Sequence, residues 1–189
     1  MSNYRRWFVP GGTYFFTVVT YRRSPLFWDS SARIILREAF SKIQENYPFE
    51  QLACVLLPDH FHCLWTLPAG DARYSMRLKR IKEEFTKNWI KQGGFHAEVT
   101  DAQAFRGERG VWQPRYWEHV IEDDRDLEAH FDYIHFNPLK HGLVKSVHDW
   151  QWSTFHNYCD WHYPPGWGVT EPTTYSHIDD FGEPEALGF

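Results

Sequence analysis

The sequence predicts an α+β fold in which helices cover an antiparallel sheet. Segments rich in β-branched and aromatic residues alternate with helical segments in the order strand, helix, strand, strand, helix, strand. A further helix and an aromatic-rich extension follow the last strand, and 189 residues with 42% hydrophobic content suffice for one core. We therefore expect a ferredoxin-like sandwich with an extra C-terminal helix in residues 1–170, followed by an acidic tail of low order in residues 171–189.

Turn and capping residues set the element boundaries. Asp29 supplies a capping oxygen for the first helix, and Pro48 ends it. Pro58 favours a tight turn between the second and third strands, and Pro138 and Gly142 are expected to end the last helix. The predicted strands span residues 13–20, 49–57, 60–67 and 112–121, and the predicted helices span residues 29–46, 74–92 and 122–137.

The second predicted helix is amphipathic. Its apolar stripe runs from Leu78 to Trp89 at helical spacing. The opposite stripe is basic, and it is either an ordinary solvated face or a track for phosphate groups. Its members are Arg77, Arg80, Lys87 and Lys91, together with Glu84.

The charge distribution permits a nucleic-acid partner, although the net charge of the chain is −5. Residues 1–91 carry 14 Lys and Arg against 8 Asp and Glu, whereas residues 92–189 carry 6 against 17. The basic half either attracts phosphates or carries scattered solvated charge. Aromatic residues make up 19% of the chain, which is more than a small core takes, so some should be exposed and available for stacking on bases.

Cysteine spacing and hydropathy narrow the class of protein further. The three cysteines show no C-x-x-C spacing, which argues against a disulfide framework and against a thiolate zinc site. No apolar run reaches membrane-spanning length, and the N-terminus lacks an apolar signal region. We therefore expect a cytoplasmic protein with no membrane partner.

His60 and His62 are the first candidates for a functional site. Alternate residues of a strand point to the same face, so the two imidazoles lie about 6–7 Å apart and can share a divalent ion. Two hydrogen-bonded structural histidines are the alternative interpretation. Asn137 is a candidate third ligand, because an amide oxygen suits a hard cation, and an all-neutral ligand set favours Mg²⁺ or Mn²⁺.

Tyr133 lies one helical turn before Asn137 and would stand beside such an ion. A phenol is a weak nucleophile at its ordinary pKa of about 10, but a polarised phosphodiester eases its attack. The product would be a covalent tyrosyl phosphate. The alternative is an interfacial tyrosine that packs its ring and donates one hydrogen bond.

Four segments together resemble the single-tyrosine transposases of the IS200/IS605 type, which carry a His-hydrophobic-His motif. The likeness is greatest to their REP-associated branch and covers about residues 5–160. The segments are GGTYFFTVVT (11–20), LPDHFHCLW (57–65), WQPRYWEHVI (112–121) and YIHFNPLKHGLV (133–144).

The resemblance implies a role for each candidate. His60 and His62 would be metal ligands, and Tyr133 would be the nucleophile on a catalytic C-terminal helix. Asn137 would take the third-ligand place, which insertion-sequence members fill with glutamine at the same offset. Because of this difference, His130 and His135 remain alternative candidates for the third ligand.

The resemblance also implies an activity and a substrate. It predicts a metal-dependent single-stranded DNA endonuclease and strand transferase that forms a covalent 5′-phosphotyrosine intermediate. The substrate would be a palindromic hairpin of the REP type, and the enzyme would be a monomer associated with the nucleoid. Two other classes remain: a non-catalytic nucleic-acid-binding module or repressor, and a phosphodiester hydrolase that uses activated water.

Charge placement predicts which residues contact DNA. The cations of the N-terminal half should bind phosphates, while the acidic tail is expected to fold over the DNA site and compete with them. The candidate contacts in that half are Arg5, Arg6, Arg22, Arg23, Arg77 and Arg80, and two further candidates, Arg115 and Lys140, lie in the C-terminal half.

Overall fold

The computed structural model describes residues 7–178 and 180–183. Within them the chain has an α+β fold with a four-stranded antiparallel sheet and four α-helices. No helix in this part of the chain is long and apolar enough to cross a membrane. The strands are β1 (Thr13–Val19), β2 (Glu50–Leu56), β3 (His60–Thr66) and β4 (Trp117–Val120), and the helices are α1 (Ser30–Asn46), α2 (Tyr74–Lys91), α3 (Asp101–Phe105) and α4 (Asp124–Lys140).

The strand order β2-β3-β1-β4 places the histidine strand β3 in the middle of the sheet, as a ferredoxin-like sandwich requires. Side chains of β3 alternate between two cores. Phe61 and Trp65 pack in the core with α1 and α2, whereas Leu64 packs in the core with α4. His60 and His62 lie four and two positions before Leu64, so their side chains point to the same face of the sheet as Leu64, towards α4.

β4 is shorter than the predicted strand 112–121. Trp112 forms an isolated bridge with the residue after β1, and the Gln113 amide donates to a β1 carbonyl at 2.9 Å. Pro114 follows and has no amide hydrogen to donate. Regular pairing therefore resumes only at Trp117.

α3 lies between the predicted elements, where no helix was expected. Thr100 and Gln103 form a reciprocal capping box at its start, with each side chain bonded to the other's backbone amide. This pair satisfies two amides that a short helix otherwise leaves without partners. Local capping therefore explains a helix that the apolar pattern did not indicate.

α4 continues past Pro138 to Lys140, so the prediction that Pro138 ends the helix is wrong, whereas the prediction that Gly142 ends it is confirmed. Pro138 is buried inside the last turn. The helix stops at Gly142, which has a φ of 65°, and the Leu143 amide donates back to the Pro138 carbonyl at 3.0 Å. This is a Schellman arrangement, in which glycine adopts the left-handed conformation at low cost. The additional turn carries Lys140 and His141.

The aromatic extension after α4 lies along the edge strand β2. Trp150 Nε1 donates to the Leu56 carbonyl at 3.0 Å, and the Tyr158 hydroxyl donates to the Leu52 carbonyl at 2.6 Å. The indole and phenol rings thus bury their apolar atoms, while their polar atoms donate hydrogen bonds to backbone carbonyls of the strand.

The described part of the tail packs against the domain. Tyr175 and Phe181 are buried, with 6% and 7% of their surface exposed, in the core that α4 forms with the sheet. This differs from the low order expected from the acidic composition. Two aromatic anchors bury enough apolar surface to hold an otherwise polar segment.

Arg77 is buried, with 1% of its surface exposed, so its predicted place on the exposed basic stripe of α2 is wrong. Its guanidinium donates to the carbonyls of Tyr47 and Pro48, which follow α1, at 3.0 and 2.9 Å. It also pairs with Asp71 at 2.9 Å. Hydrogen bonds, the stronger from Arg77 and a weaker one from Arg73, hold the pKa of the Asp71 carboxyl well below its ordinary value. The guanidinium of Arg77 therefore links α2 to the end of α1.

Replacing Arg77→Ala should lower the free energy of unfolding by about 3–5 kcal/mol, because a partly buried carboxylate and two carbonyls lose a fully buried donor. Urea denaturation followed by circular dichroism measures this change. Arg73→Ala is the matched control, since Arg73 pairs with the same Asp71 carboxylate but is 70% exposed. Its loss should stay below about 1 kcal/mol. Equal losses for the two variants would contradict a structural role for Arg77.

Candidate active site

His60 and His62 lie side by side on β3 and are buried, with 2% and 0% of their surface exposed. Nδ1 of His60 donates to Asp59 Oδ1 at 2.6 Å. Nδ1 of His62 donates to Thr17 Oγ1 at 2.8 Å, because that hydroxyl in turn donates to the Phe181 carbonyl. In neutral rings, both Nε2 atoms therefore carry lone pairs on the α4 side of the sheet.

The pKa values of the two imidazoles shift in opposite directions. Burial lowers the pKa of His62 to about 3, so this ring is neutral at pH 7. Burial also acts to lower the pKa of His60, but the hydrogen bond to Asp59 and the nearby Glu183 carboxylate outweigh it and raise the pKa. Asp59 is held in turn by Arg23, whose Nη1 donates to it at 2.7 Å. A fixed carboxylate thus orients the first imidazole.

Glu183 places a carboxylate oxygen where the two Nε2 atoms converge. Its Oε1 lies 3.1 Å from Nε2 of His62 and 3.8 Å from Nε2 of His60. The same oxygen is 2.9 Å from Asn137 Nδ2 and 3.1 Å from His141 Nε2. Burial acts to raise the pKa of Glu183, but hydrogen bonding led by His141 outweighs it and holds the pKa far below its ordinary value. The carboxylate is therefore ionised.

This cluster is rich in acceptor atoms and fits a metal ion. Among the described residues, His60 Nε2 and Asn137 Oδ1 are buried without a hydrogen-bond partner. Neutral His62 presents another acceptor to the Glu183 carboxylate. Buried acceptors need a donor or a cation, and imidazole, amide and carboxylate atoms are common ligands of divalent metals. His60, His141 and Glu183 have ligand atoms within 4.8 Å of one another and form a candidate metal-binding group.

The two alternative third ligands make contacts elsewhere. Both ring nitrogens of His135 are occupied, by Tyr163 Oη at 2.7 Å and by Thr154 Oγ1 at 2.8 Å. Nδ1 of His130 lies 2.9 Å from a backbone carbonyl one turn earlier in α4. Of the three candidates, Asn137 is the one whose side chain bonds to the carboxylate at the centre of the cluster.

Tyr133 extends from α4 against the histidine pair. Its ring centroid lies 5.3 Å from that of His62, and 1% of its surface is exposed. Lys140 Nζ donates to the phenol oxygen at 3.2 Å and lies 4.5 Å from the ring centroid. Burial raises the pKa of Tyr133 above its ordinary value, and the Glu183 carboxylate adds to the rise. The phenol is therefore protonated in this arrangement.

The tail covers this phenol. The Phe181 ring stacks on Tyr133 with centroids 3.6 Å apart and planes at 4°, and Tyr175 meets it edge-on at 5.5 Å. Gly182 has a φ of 71°, and a side chain at this position would overlap the ring of Trp117. A glycine is thus required for the turn that delivers Phe181 to the site. The described part of the tail therefore covers the candidate nucleophile.

The predicted DNA contacts fall into several environments. Arg23 and Lys140 bond to groups of the site itself, and Arg77 is buried. Arg5 and Arg6 lie outside the described residues. The remaining three candidates are exposed, and they are Arg22, Arg80 and Arg115.

A groove between α2 and residues 96–116 carries cations that sequence reasoning mostly missed. Two of them follow α3 in a loop where no periodic pattern draws attention to them. Carboxylates in the same groove leave the balance of charge only mildly positive. The cations that line it are Lys79, Lys82, Lys87, Arg106 and Arg109, and the carboxylates are Glu83, Glu98 and Glu108.

A sheet with paired histidines facing a buried tyrosine and an asparagine one turn later defines a class of protein. Residues 9–137 match the family model described as "Transposase IS200 like". The chain therefore belongs to the family of IS200-like transposases.

Relatives define the branch of that family. The "REP-associated tyrosine transposase" of Escherichia coli (strain K12) is 46% identical over 157 residues, which are 82% of this chain and 84% of that protein. A Haemophilus influenzae protein named for the same group is 43% identical over 169 residues, 89% of this chain and 94% of that protein. A solved REP-associated tyrosine transposase bound to a REP hairpin superposes with a TM-score of 0.72 at 42% identity, covering 92% of this chain and 96% of that one. The branch is thus the REP-associated tyrosine transposases.

Sequence reasoning missed Glu183 and His141 as members of the site. His141 lies beyond Pro138, where the helix was expected to have ended. Glu183 is 121 residues from His62 and sits in a segment expected to have little order. The signal available for the tail was Phe181-Gly182, an aromatic residue followed by a turn former within an otherwise polar stretch.

Proposed function

We propose that the protein is a metal-dependent endonuclease and strand transferase for single-stranded DNA, acting on REP-type palindromic hairpins. The observation that carries the proposal is the contact of Tyr133 with His62, whose Nε2 faces the same carboxylate as that of His60. The hairpin-bound relative supports the choice of substrate. The strand order and the position of α4 support a ferredoxin-like sandwich with a catalytic helix.

In the proposed reaction the hydroxyl oxygen of Tyr133 attacks the scissile phosphorus. The new bond joins the phenol oxygen to phosphorus, and the bond from phosphorus to the 3′ oxygen breaks. The 5′ phosphate stays on the tyrosine, and the proton lost by the phenol is balanced by the one gained at the freed 3′ hydroxyl. Attack of a 3′ hydroxyl on the phosphotyrosine reverses the step and rejoins strands, since the phosphodiester energy is retained.

His60, His62 and Asn137 would hold Mg²⁺ or Mn²⁺ in this proposal. A bound ion would supply positive charge that polarises the phosphate. The chain's own part is to present the ligand atoms correctly: Asp59 orients the first imidazole and Thr17 the second. Their hydrogen bonds leave Nε2 of each ring as the nitrogen that would hold the ion.

Lys140 and the exposed arginines would bind phosphates. Lys140 already donates to the Tyr133 hydroxyl, so it would place a cation beside both the nucleophile and the incoming phosphate. Arg22, Arg80 and Arg115 would contact the DNA backbone further away. The enzyme would act as a monomer, because the tyrosine and both imidazoles converge within one chain.

Tyr133→Phe should abolish the covalent protein–DNA adduct, because it removes the attacking oxygen. Affinity for the hairpin should change by less than about threefold. A labelled REP-type hairpin with a single-stranded flank, incubated with Mn²⁺ and resolved on a denaturing gel, measures adduct formation.

Tyr175→Phe is the matched control, since Tyr175 also contacts Tyr133 yet has no proposed role in attack. It should keep the adduct. Undiminished nicking by Tyr133→Phe would remove that residue from the nucleophile role. Cleavage without protein-linked DNA would favour the hydrolase, and a wild-type protein that binds but never cleaves would favour the binding module.

Asn137→Ala should weaken Mn²⁺ binding by about 10- to 100-fold, measured by isothermal titration calorimetry without DNA. Asn137→Gln should keep most of the affinity, because the amide oxygen is retained. His135→Gln is the control: it should leave Mn²⁺ affinity unchanged while lowering stability, since both nitrogens of His135 bond inside the core. Loss of Mn²⁺ binding in His135→Gln with normal binding in Asn137→Ala would reverse the assignment.

Removing the tail after Thr170 should raise affinity for nonspecific single-stranded DNA at low salt by about tenfold, an effect that salt should reduce. Gly182→Ala should produce much of the same gain, because a side chain there displaces Phe181 and Glu183 while all charges remain. Fluorescence anisotropy with a labelled oligonucleotide measures both. Unchanged affinity in Gly182→Ala beside a gain in the truncated chain would show a general charge effect instead of competition at the site.

A further inference from the structure

Two exposed tryptophans share one arginine at a corner of the molecule. Trp28 is 57% exposed and Trp152 is 42% exposed. Arg33 lies between them: its guanidinium carbon is 4.2 Å from the Trp152 ring centroid, and its Nη1 donates to the Trp28 carbonyl at 3.1 Å. We call Trp28, Arg33, Trp150 and Trp152 the tryptophan corner.

The side chains of the tryptophan corner are held in place by the fold. Trp28 meets the buried ring of Trp150 edge-on, with centroids 6.0 Å apart. The Trp152 carbonyl accepts from the amide of Leu56 at 2.8 Å, and the Trp150 indole donates to the carbonyl of that same residue. Arg33 makes a second bond to the backbone, to the Phe27 carbonyl at 2.8 Å. The exposed indoles are therefore fixed on a rigid base before any ligand arrives.

The tryptophan corner lies at the end of the sheet that carries the histidine pair. The Phe27 amide donates to the Pro58 carbonyl at 2.9 Å, two residues before His60. On the other side of the same turn, Leu56 pairs with Phe61, the residue after His60. The tryptophan corner is thus anchored to the last residue of β2 and to the turn that leads into the candidate active site.

The chemistry of this surface matches an unpaired nucleobase. A single exposed tryptophan is ordinary, but two preorganised indoles beside one guanidinium combine a stacking face with a charge that attracts phosphate. Base stacking on aromatic side chains is a general way to bind single strands, and it depends little on the nucleotide sequence because every base can stack. Arg33 adds charge complementarity to a polyanion.

We propose that the tryptophan corner binds one unpaired base of the single strand whose phosphate Tyr133 attacks. This inference rests on the proposed function and names a binding subsite for that substrate. The stacked base would fix the register of the strand on the protein. Arg33 would contact the phosphate that follows the base while it supports the Trp152 ring.

The test combines protein variants with an abasic scan of the substrate. A REP-type hairpin carries a single-stranded flank in which one unpaired nucleotide at a time is replaced by an abasic site. Fluorescence anisotropy gives Kd for the wild-type protein, Trp28→Ala and Trp152→Ala. Trp161→Ala is the matched control, because Trp161 is 71% exposed and its indole donates to the carbonyl of Asn157, four residues earlier in the chain.

For intact DNA, Trp28→Ala or Trp152→Ala should weaken binding by about 5- to 150-fold, the range of one stacked base. An abasic site at one flank position should weaken wild-type binding by a similar factor and have little further effect in that variant. Trp152→Phe should restore most of the affinity. Trp161→Ala should bind as the wild type does.

Two results would overturn the proposal. One is wild-type affinity in both Trp28→Ala and Trp152→Ala. The other is a loss in either variant that is equal for every abasic substrate, which shows that no particular base is held there. If these variants change only sedimentation of the protein alone, the corner is a contact between copies and the proposal is wrong.

The adduct assay separates this proposal from the proposed function. Adduct formation by wild-type protein with unchanged binding in both tryptophan variants rejects the stacking subsite alone. A position-specific loss of binding without any adduct in the wild-type protein supports the subsite and rejects the proposed transferase.

Discussion

Buried acceptor atoms on the α4 side of β3 constrain the arrangement around them. An acceptor that loses water without gaining a donor costs about 1–3 kcal/mol, and His60 Nε2 and Asn137 Oδ1 are both in this state within the described residues. Such a cluster persists only when its surroundings fix every ring and amide. Asp59 and Thr17 do so from the sheet, each through one ring nitrogen.

The histidine pair was predictable because the period of a strand is a local property. The alternation that assigns Phe61 and Trp65 to one core and Leu64 to the other also assigns both imidazoles, and no distant contact is needed. Tyr133 and Asn137 follow in the same way from a four-residue helical spacing. That the strand and the helix meet was implied by the order of elements and by the resemblance to a known family.

What the sequence did not reveal depends on events far along the chain or on single backbone conformations. Gly142 rather than Pro138 ends α4, and this one difference decides whether His141 reaches His60, with ring centroids 5.4 Å apart. Glu183 reaches the site because an aromatic neighbour packs in the core, and the acidic composition of the tail does not indicate such packing. Arg77 has the spacing of a surface residue, yet carbonyls at the end of α1 and a carboxylate draw it inside.

The extension that follows α4 also protects the sheet. β2 is an edge strand, and an exposed edge offers backbone groups that a strand of another molecule can pair with. Here the bridge between Val55 and Ser153, and the bond from the Leu56 amide to the Trp152 carbonyl, occupy that edge from within the chain. The opposite edge, β4, is four residues long and offers little to pair with. The aromatic segment thereby keeps the edge strand β2 from pairing with strands of other molecules and so from promoting aggregation.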